Sequence, residues 1–364
     1  MQPSPHASIA MRAVRTLILI ASGVIFFAAS AAILRNVLPA PLTTEADRRR
    51  LVFERASPPY DTVFLGTSRT YRGLDPAAFD TRTAAAGRPT HSFNFGLFGL
   101  RLFEARSVLE DLLAADREDR LRFVFLEMPP ANWALERENL QSDRVIRYHD
   151  WRTFVDILRY LNQDPQTSVW SGWPRVVPLM ENQANRGLGA AAFQSLAAGE
   201  DGVDDFIEQG AAELGDRGDG FQPLDQALSR ADGDARERME ERHRLLLPSP
   251  EEWEESIEKF RKQLSAHQTV TDVAIELLAE LSALVDQQRA TPIFYLAPGF
   301  TPQWDVRGAH ERGSVPALLA FDDPDRYPEL YDRSLYFDKG HLNERGAELF
   351  SVVLADAFLD LQGP

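Results

Sequence analysis

Two short blocks far apart in the chain hold residue types that together perform nucleophilic catalysis. In Phe64-Leu65-Gly66-Thr67-Ser68-Arg69 a serine follows a β-rich apolar run, Asp61 to Gly66, which places Ser68 at a strand-to-helix turn. In an open α/β sheet such a turn lies at the carboxyl edge, where ligands bind. The N–H groups that open the following helix can stabilise an oxyanion there. In Phe337-Asp338-Lys339-Gly340-His341-Leu342-Asn343 an aspartate precedes a histidine by three residues, just before the last helix. Asp338 can fix the tautomer of His341 and stabilise the imidazolium formed when His341 takes a proton from a serine. Each block also has a plainer use, Ser68 as a helix N-cap and His341 as a loop histidine beside a capping aspartate.

Other chemistries lack their residues. The histidines (His6, His91, His149, His243, His267, His310, His341) include no pair at the H-x-x-x-H spacing of helical metal ligands, so no metal is expected. The absence of cysteine removes disulfides, thiolate metal sites, a lipid-anchored cysteine and cysteine nucleophiles. There is no G-x-x-x-x-G-K-[ST] phosphate loop, and Gly96 with Gly99 is too slight a pattern for a dinucleotide, so no cofactor is expected. Acidic pairs such as Asp322-Asp323 read as solvated turns. Basic residues number 39 and acidic residues 55, a formal net charge of −16 with no general attraction for nucleic acid.

The elements that must position these residues read as a layered sheet. At 364 residues, 44% hydrophobic and 26% charged, the composition is globular and long enough for one large domain or two. Asp61 to Gly66, Thr90 to Phe95, Arg122 to Met128 and Thr291 to Ala297 are strand-like, the last two halted by Pro129-Pro130 and Pro298-Gly299. Helical spacing occurs from about Arg101 to Ala115, from Glu251 to Gln288 after an N-cap at Ser249-Pro250, and from Glu344 to Leu361. The alternation predicts an α/β fold of three layers, a mainly parallel sheet with helices on both faces. From about 136 to 250 the pattern loosens into a large insertion over one edge of the sheet, with Trp151, Trp170 and Trp173 as packing residues or a sugar-stacking surface.

At the N-terminus, Thr16 to Leu34 is a run of 19 residues without charge. As a helix it spans about 28 Å, close to the thickness of a bilayer core. Ala29-Ser30-Ala31 offers a signal-peptidase site, but the run is long for a signal peptide and reads as an uncleaved anchor. Arg12 and Arg15 before it, against Arg35 and Arg48 to Arg50 after it, do not by count favour export. Long domains nevertheless translocate largely regardless of charge. The expected plan is a cytoplasmic tail (1–15), a transmembrane anchor (16–34), a polar stalk (35–58) and an extracytoplasmic domain (59–364).

The order of the parts resembles the SGNH (GDSL-like) hydrolase superfamily. Two further blocks carry the likeness. Asn94-Phe95-Gly96-Leu97-Phe98-Gly99 is similar to the block whose last glycine N–H joins the oxyanion hole, which implies Gly99. Glu127-Met128-Pro129-Pro130-Ala131-Asn132 stands where the family has Gly-x-Asn and implies Asn132 as the amide completing that hole. Gly66-Thr67-Ser68-Arg69 stands in place of Gly-Asp-Ser. The resemblance covers about 61–132 and 291–358. It implies Ser68 as nucleophile, His341 as base and Asp338 as its partner, with the N–H groups of Ser68 and Gly99 around the oxyanion. Arg69, Asn94 and Arg101, next to these blocks, are possible substrate contacts; the two arginines suit an anionic uronic acid or plain surface solvation.

Together with the N-terminal run, the layout resembles the accessory acyltransferases of bacterial surface polysaccharides, of the alginate O-acetylation and teichoic acid D-alanylation types. That likeness implies transfer of O-acyl, notably acetyl, groups to a surface polysaccharide through acyl-Ser68. It implies a multi-span membrane O-acyltransferase as donor and a periplasmic domain on the bacterial inner membrane. A carbohydrate acetylesterase and a non-catalytic scaffold binding glycan or a partner are the alternatives.

Overall fold

Five strands whose residues are almost all buried run in one direction: β1 (Thr62–Gly66), β2 (Ser92–Gly96), β3 (Phe123–Leu126), β4 (Thr291–Leu296) and the short, half-buried β5 (Leu318–Ala320). They form one sheet in the order β2-β1-β3-β4-β5 with every pairing parallel. Leu65 lies opposite Phe95 on one side and Leu126 on the other, so the carboxyl ends of β1, β2 and β3 are level. The chain leaves β1 for β2 on one side and returns to β3 on the other. The topological switch point is therefore between the ends of β1 and β3.

The helices around the sheet and the site include α1 (Glu45–Arg55), α2 (Ser68–Gly73), α3 (Pro76–Ala85), α4 (Leu102–Ala115), α5 (Trp151–Gln163), α6 (Gly233–Leu246), α7 (Pro250–Ser265), α8 (Asp272–Gln287), α9 (Trp304–Glu311) and α10 (Glu344–Gln362). The two-residue period of the strands divides their side chains between two cores. Val63, Leu65, Phe95, Val124, Leu126 and Phe294 face a core shared with α1, α4, α5 and α8. Phe64, Phe123, Phe125, Ile293 and Tyr295 face a second core, shared with α3, α7 and α10. Covered on both faces, β1, β3 and β4 read as continuous apolar runs, whereas β2 alternates Phe93 and Phe95 with the buried polar Ser92 and Asn94. This is the expected three-layer α/β arrangement.

The computed structural model describes residues 44–131, 142–163, 176–181, 206–208, 210–266 and 270–363, with scattered positions between 22 and 33. The expected anchor, 16–34, lies outside the described residues except for helical Ser22, Gly23, Phe26, Ala29, Ser30 and Ile33. Among the described residues no helix is long and apolar enough to cross a membrane.

Several boundaries differ from expectation. The second strand starts at Ser92, because the Thr90 hydroxyl is held by the Asp80 carboxylate at 2.6 Å outside the ladder. The charged stretch 251–288 is two helices, α7 and α8, the second opened by Thr271, whose hydroxyl accepts from the Ala274 N–H at 3.3 Å. The Ser249 cap with Pro250 in the first turn is present as a reciprocal capping box with Glu252. An antiparallel hairpin, β6 (Tyr336–Asp338) and β7 (His341–Leu342), precedes α10. Within the looser segment, α5 sends Phe154, Ile157 and Leu161 into the first core. Trp151 lies against Phe154 and is 65% exposed, while Trp170 and Trp173 lie outside the described residues.

The segment expected as a stalk, 35–58, instead contains α1, which packs on the sheet. Its arginines gave it the look of a solvated linker, but Arg49 has a side chain only 1% exposed. That guanidinium donates to the carbonyls of Asn94 (2.8 Å), Gly220 (2.9 Å) and Glu213 (3.2 Å) and lies 4.2 Å from the Tyr71 ring centroid. One buried cation thus joins α1, β2 and the segment before α6. Arg49→Ala is expected to lower the unfolding free energy by about 3 kcal/mol, because three buried acceptors lose a charged donor together. Urea denaturation measures this, and a loss below about 1 kcal/mol would show that α1 is held by its apolar face alone.

Candidate active site

At the end of β1 the chain turns at once into α2, and the turn leaves no room for a side chain at its first residue. A Cβ on Gly66 would lie 2.9 Å from the Glu127 Cβ and closer still to the Thr70 hydroxyl. Thr67 is the N-cap of α2, its hydroxyl accepting from the Arg69 N–H at 3.2 Å. Ser68 is therefore the first helical residue rather than the cap, and its hydroxyl is available for another partner. The Ser68 Oγ lies 2.9 Å from His341 Nε2, and His341 Nδ1 lies 2.8 Å from Asp338 Oδ1. Hairpin geometry brings the last two together: Asp338 ends β6, His341 opens β7, and Lys339-Gly340 turns between them. The Gly340 N–H donates to Asp338 Oδ1 at 2.8 Å.

Asp338 is 2% exposed, yet its carboxylate is well supplied with donors. Arg242, from α6, donates its Nε to Asp338 Oδ2 at 2.8 Å. Burial alone would raise the carboxyl pKa. The hydrogen bond and charge of His341, followed by Arg242 and the Gly340 N–H, outweigh it and hold the pKa at about 2. With its folded value below the unfolded one, Asp338 contributes stability above the usual aspartate range, and this is lost as pH falls toward about 2. Between about pH 7 and pH 4 it stays ionised, so a loss of function there reports another group of the site.

Directly after β3 stands Glu127, 0% exposed. Its Oε2 accepts from the Thr67 N–H at 2.7 Å and from the Thr70 hydroxyl at 3.2 Å, and its Oε1 accepts from Arg69 Nη2 at 2.8 Å. Tyr295 Oη lies 2.7 Å from the same Thr70 hydroxyl. Burial and then the Glu127 charge push the Tyr295 pKa well above its ordinary value, so the phenol keeps its proton and donates it to Thr70. The buried amide of Gln303, oriented by its partners, gives Nε2 to the Met128 carbonyl at 2.8 Å and accepts from Arg69 through Oε1. The residues on either side of Ser68 are thus bound to one carboxylate across the switch point.

A cleft of about 480 Å³ opens over this array, lined among others by Ser68, His341, Gly99, Arg69, Arg101, Lys339 and Phe300. Gly99 adopts the left-handed conformation at φ +56°, which favours glycine. Arg144 holds the carbonyls of Phe98 and Gly99, the latter at 3.0 Å, and its Nε lies 3.2 Å from the fully buried Glu104 carboxylate. Among the described residues no group of three or more histidines and carboxylates could hold a metal ion.

The structure brings Ser68, His341 and Asp338 into one chain of hydrogen bonds and sets Gly99, Arg69 and Arg101 in the same cleft. Asn94 does not reach it. Its side chain is 0% exposed, with Nδ2 donating to the Thr70 and Leu74 carbonyls (2.8 and 2.7 Å) and Oδ1 accepting from the Gly96 N–H (2.9 Å). It ties β2 to α2 and has no group left for a substrate. Asn132 lies outside the described residues. Arg69 lines the cleft, but its charge is matched by Glu127. Sequence reasoning missed Glu127 and Arg242. Glu127 carried a signal, a carboxylate following a run whose every residue is buried, where desolvation demands a partner. Arg242 carried none, being one arginine of a charged helix.

Glu127→Ala is expected to lower the unfolding free energy by about 3 kcal/mol, since Arg69 and the Thr67 N–H lose their acceptor together. Glu127→Gln, which keeps an acceptor oxygen, is expected to lose less. A loss below about 1 kcal/mol for the alanine variant in urea denaturation would remove Glu127 as the anchor of the turn. No family model matches this chain, and no curated protein or solved structure matches it either.

Proposed function

We propose that the chain is an SGNH-like serine enzyme that transfers O-acyl groups, notably acetyl, to a surface polysaccharide through an acyl-Ser68 intermediate. The observation that carries this reading is the unbroken Ser68–His341–Asp338 chain, at 2.9 and 2.8 Å, at the floor of a cleft on the sheet's switch point.

The chemistry follows from these atoms. His341 Nε2 takes the Ser68 hydroxyl proton as Oγ attacks the ester carbonyl carbon, and Asp338 stabilises the imidazolium through Nδ1. In the resulting tetrahedral adduct the carbonyl oxygen bears the negative charge. The Ser68 N–H, at the open end of α2, and the Gly99 N–H are the donors assigned to it, with the Asn132 amide as a third. Collapse expels the donor alcohol, which leaves with the proton from His341, and Ser68 keeps the acyl group. An acceptor sugar hydroxyl then gives its proton to His341 and attacks the acyl carbon, returning the free serine. Water in place of the sugar makes the same site an esterase, and the cleft is open enough to admit it.

Two further features support the reading. The cleft offers Arg101 and Lys339 to an acceptor, and among the described residues no carboxylate side chain belongs to its lining. The uncharged run 16–34 supports a membrane anchor, as do Phe26 and Ile33 within it, 76% and 63% exposed. A domain so anchored on the outer face of the bacterial inner membrane would take its acyl group from a multi-span O-acyltransferase.

Incubation with a fluorophosphonate or 4-nitrophenyl acetate, followed by intact-mass measurement, tests the mechanism. One covalent adduct on Ser68 is expected, absent in Ser68→Ala and formed about 10⁴-fold more slowly in His341→Ala and Asp338→Asn. An adduct that survives Ser68→Ala, or none on folded wild-type protein, overturns the reading. Adding an oligosaccharide acceptor to the acetylated enzyme distinguishes transfer, in which the sugar gains the acetyl group, from hydrolysis.

A further inference from the structure

Helix α6 (Gly233–Leu246) buries none of its residues, so no apolar face fixes it to the domain. Its links to the body fall on the hairpin that carries Asp338 and His341. His243 Nδ1 donates to the Phe337 carbonyl at 2.6 Å, the Leu246 carbonyl accepts from the Lys339 N–H at 2.9 Å, and Arg242 grips Asp338. Three successive hairpin residues, Phe337, Asp338 and Lys339, are thus held by one exposed helix. The Arg242 contact is two-pronged, Nε at 2.8 Å and Nη2 at 2.7 Å from the same Oδ2. Arg242 Nη2 also lies 3.3 Å from His341 Nδ1. Because that nitrogen directs its proton at Asp338, the approach sets two donors on one carboxylate, with a guanidinium charge beside the imidazole.

We infer that Arg242 is a positioning residue for the Ser68–His341–Asp338 array, which holds Asp338 against His341 and offsets part of the carboxylate's attraction for charge on the imidazole. The catalytic meaning of this inference rests on the proposed acyl-transfer reading, but its electrostatic content does not. A carboxylate next to a histidine favours the imidazolium and so withdraws the free base as pH falls. A fixed cation on the other carboxylate oxygen offsets that attraction while leaving the carboxylate in place to orient the ring. The other charges near the ring do not replace it. Lys339, Arg69 and Arg101 line the cleft on the ligand side. Arg72 on α2 stands near Arg242, and His243 faces the Phe337 carbonyl. Asp338 is the carboxylate in contact with His341, and Arg242 is the cation in contact with Asp338. The Arg242 side chain is 40% exposed, so solvent screens part of its effect.

The test follows the His341 imidazole by NMR titration in wild type, Arg242→Gln and Arg242→Lys, beside the pH profile of Ser68 labelling in the same proteins. In Arg242→Gln the His341 midpoint is expected to rise, because a neighbouring positive charge has gone. The acid limb of labelling is expected to move up with it, so that below the new midpoint Arg242→Gln labels more slowly than wild type at the same pH. Arg242→Lys, which keeps the charge and loses the fork, is expected to hold the wild-type midpoint. An unchanged midpoint in folded Arg242→Gln, or a uniform loss of labelling at every pH, overturns the inference and leaves Arg242 a purely structural link. An equal rise in both variants also overturns it. If the midpoint moves while wild-type Ser68 takes no label, the electrostatic role of Arg242 stands and the acyl-transfer reading falls.

Discussion

A carboxylate sealed at the end of a central strand is the constraint from which the Ser68 turn follows. Glu127 has no access to water, and an unpaired charge there is prohibitively costly. The cost is met by the residues that face it across the switch point, the Thr67 N–H, the Thr70 hydroxyl and the Arg69 guanidinium. Ser68 lies between two of these, so satisfying Glu127 fixes the backbone on both sides of the serine. With Thr67 taking the cap and Arg69 taking the charge, the Ser68 hydroxyl is left to His341. The placement of the Ser68 hydroxyl is thus a consequence of desolvation at β3, several side chains away.

The base side of the site is built differently. His341 and Asp338 sit on a hairpin of a few residues, too short to be stable alone. Its inner side is anchored by Leu342, buried in the second core with Phe350 and Leu354 of α10. Its outer side is held by α6, an element of the long segment between β3 and α7. A short hairpin with two cross-braces can keep an imidazole within hydrogen-bond reach of a serine that is fixed independently by the sheet. The Ser68–His341 hydrogen bond of 2.9 Å joins the two halves, so a small displacement of the hairpin is felt there.

What was legible from residue types was whatever depends on local pattern. The buried strands β1 to β4 were visible as strand-like runs, and the three-layer architecture followed from their alternation with helices. The meeting of Ser68, Asp338 and His341 was legible because residues of those types stand at element ends that a parallel sheet brings together. Long-range compensation was not legible. Arg49 reads as a linker residue until the Asn94, Gly220 and Glu213 carbonyls are seen around it. Asn94 reads as a ligand contact until its amide is found bonded to the end of α2. Arg242 is separated from Asp338 by nearly a hundred positions, and nothing in its neighbours distinguishes it from Arg238 or Arg244. In each case the side chain's role is set by a partner that only the fold supplies.

The same geometry bears on how an acyl-serine at this site would be resolved. In the proposed mechanism His341 would deprotonate whatever hydroxyl stands within hydrogen-bond reach, so choice of acceptor would be a matter of occupancy and orientation rather than of a separate catalytic group. Bulk water competes at about 50 M, whereas a well-oriented bound hydroxyl can act at an effective molarity of ~10⁵ M or more. Transfer therefore does not require the cleft to be dry. It requires contacts that hold a sugar hydroxyl near Nε2, and the residues able to make them are Arg101, Lys339 and Phe300 on the cleft walls. The charge of the whole chain, −16, repels an anionic glycan at long range. Over a Debye length of about 8 Å at physiological salt, the local wall is what a ligand meets, and that wall carries cations. Under the proposed reading, an open cleft with a cationic wall would suit an acceptor that is the end or edge of a large polymer better than a small molecule needing enclosure.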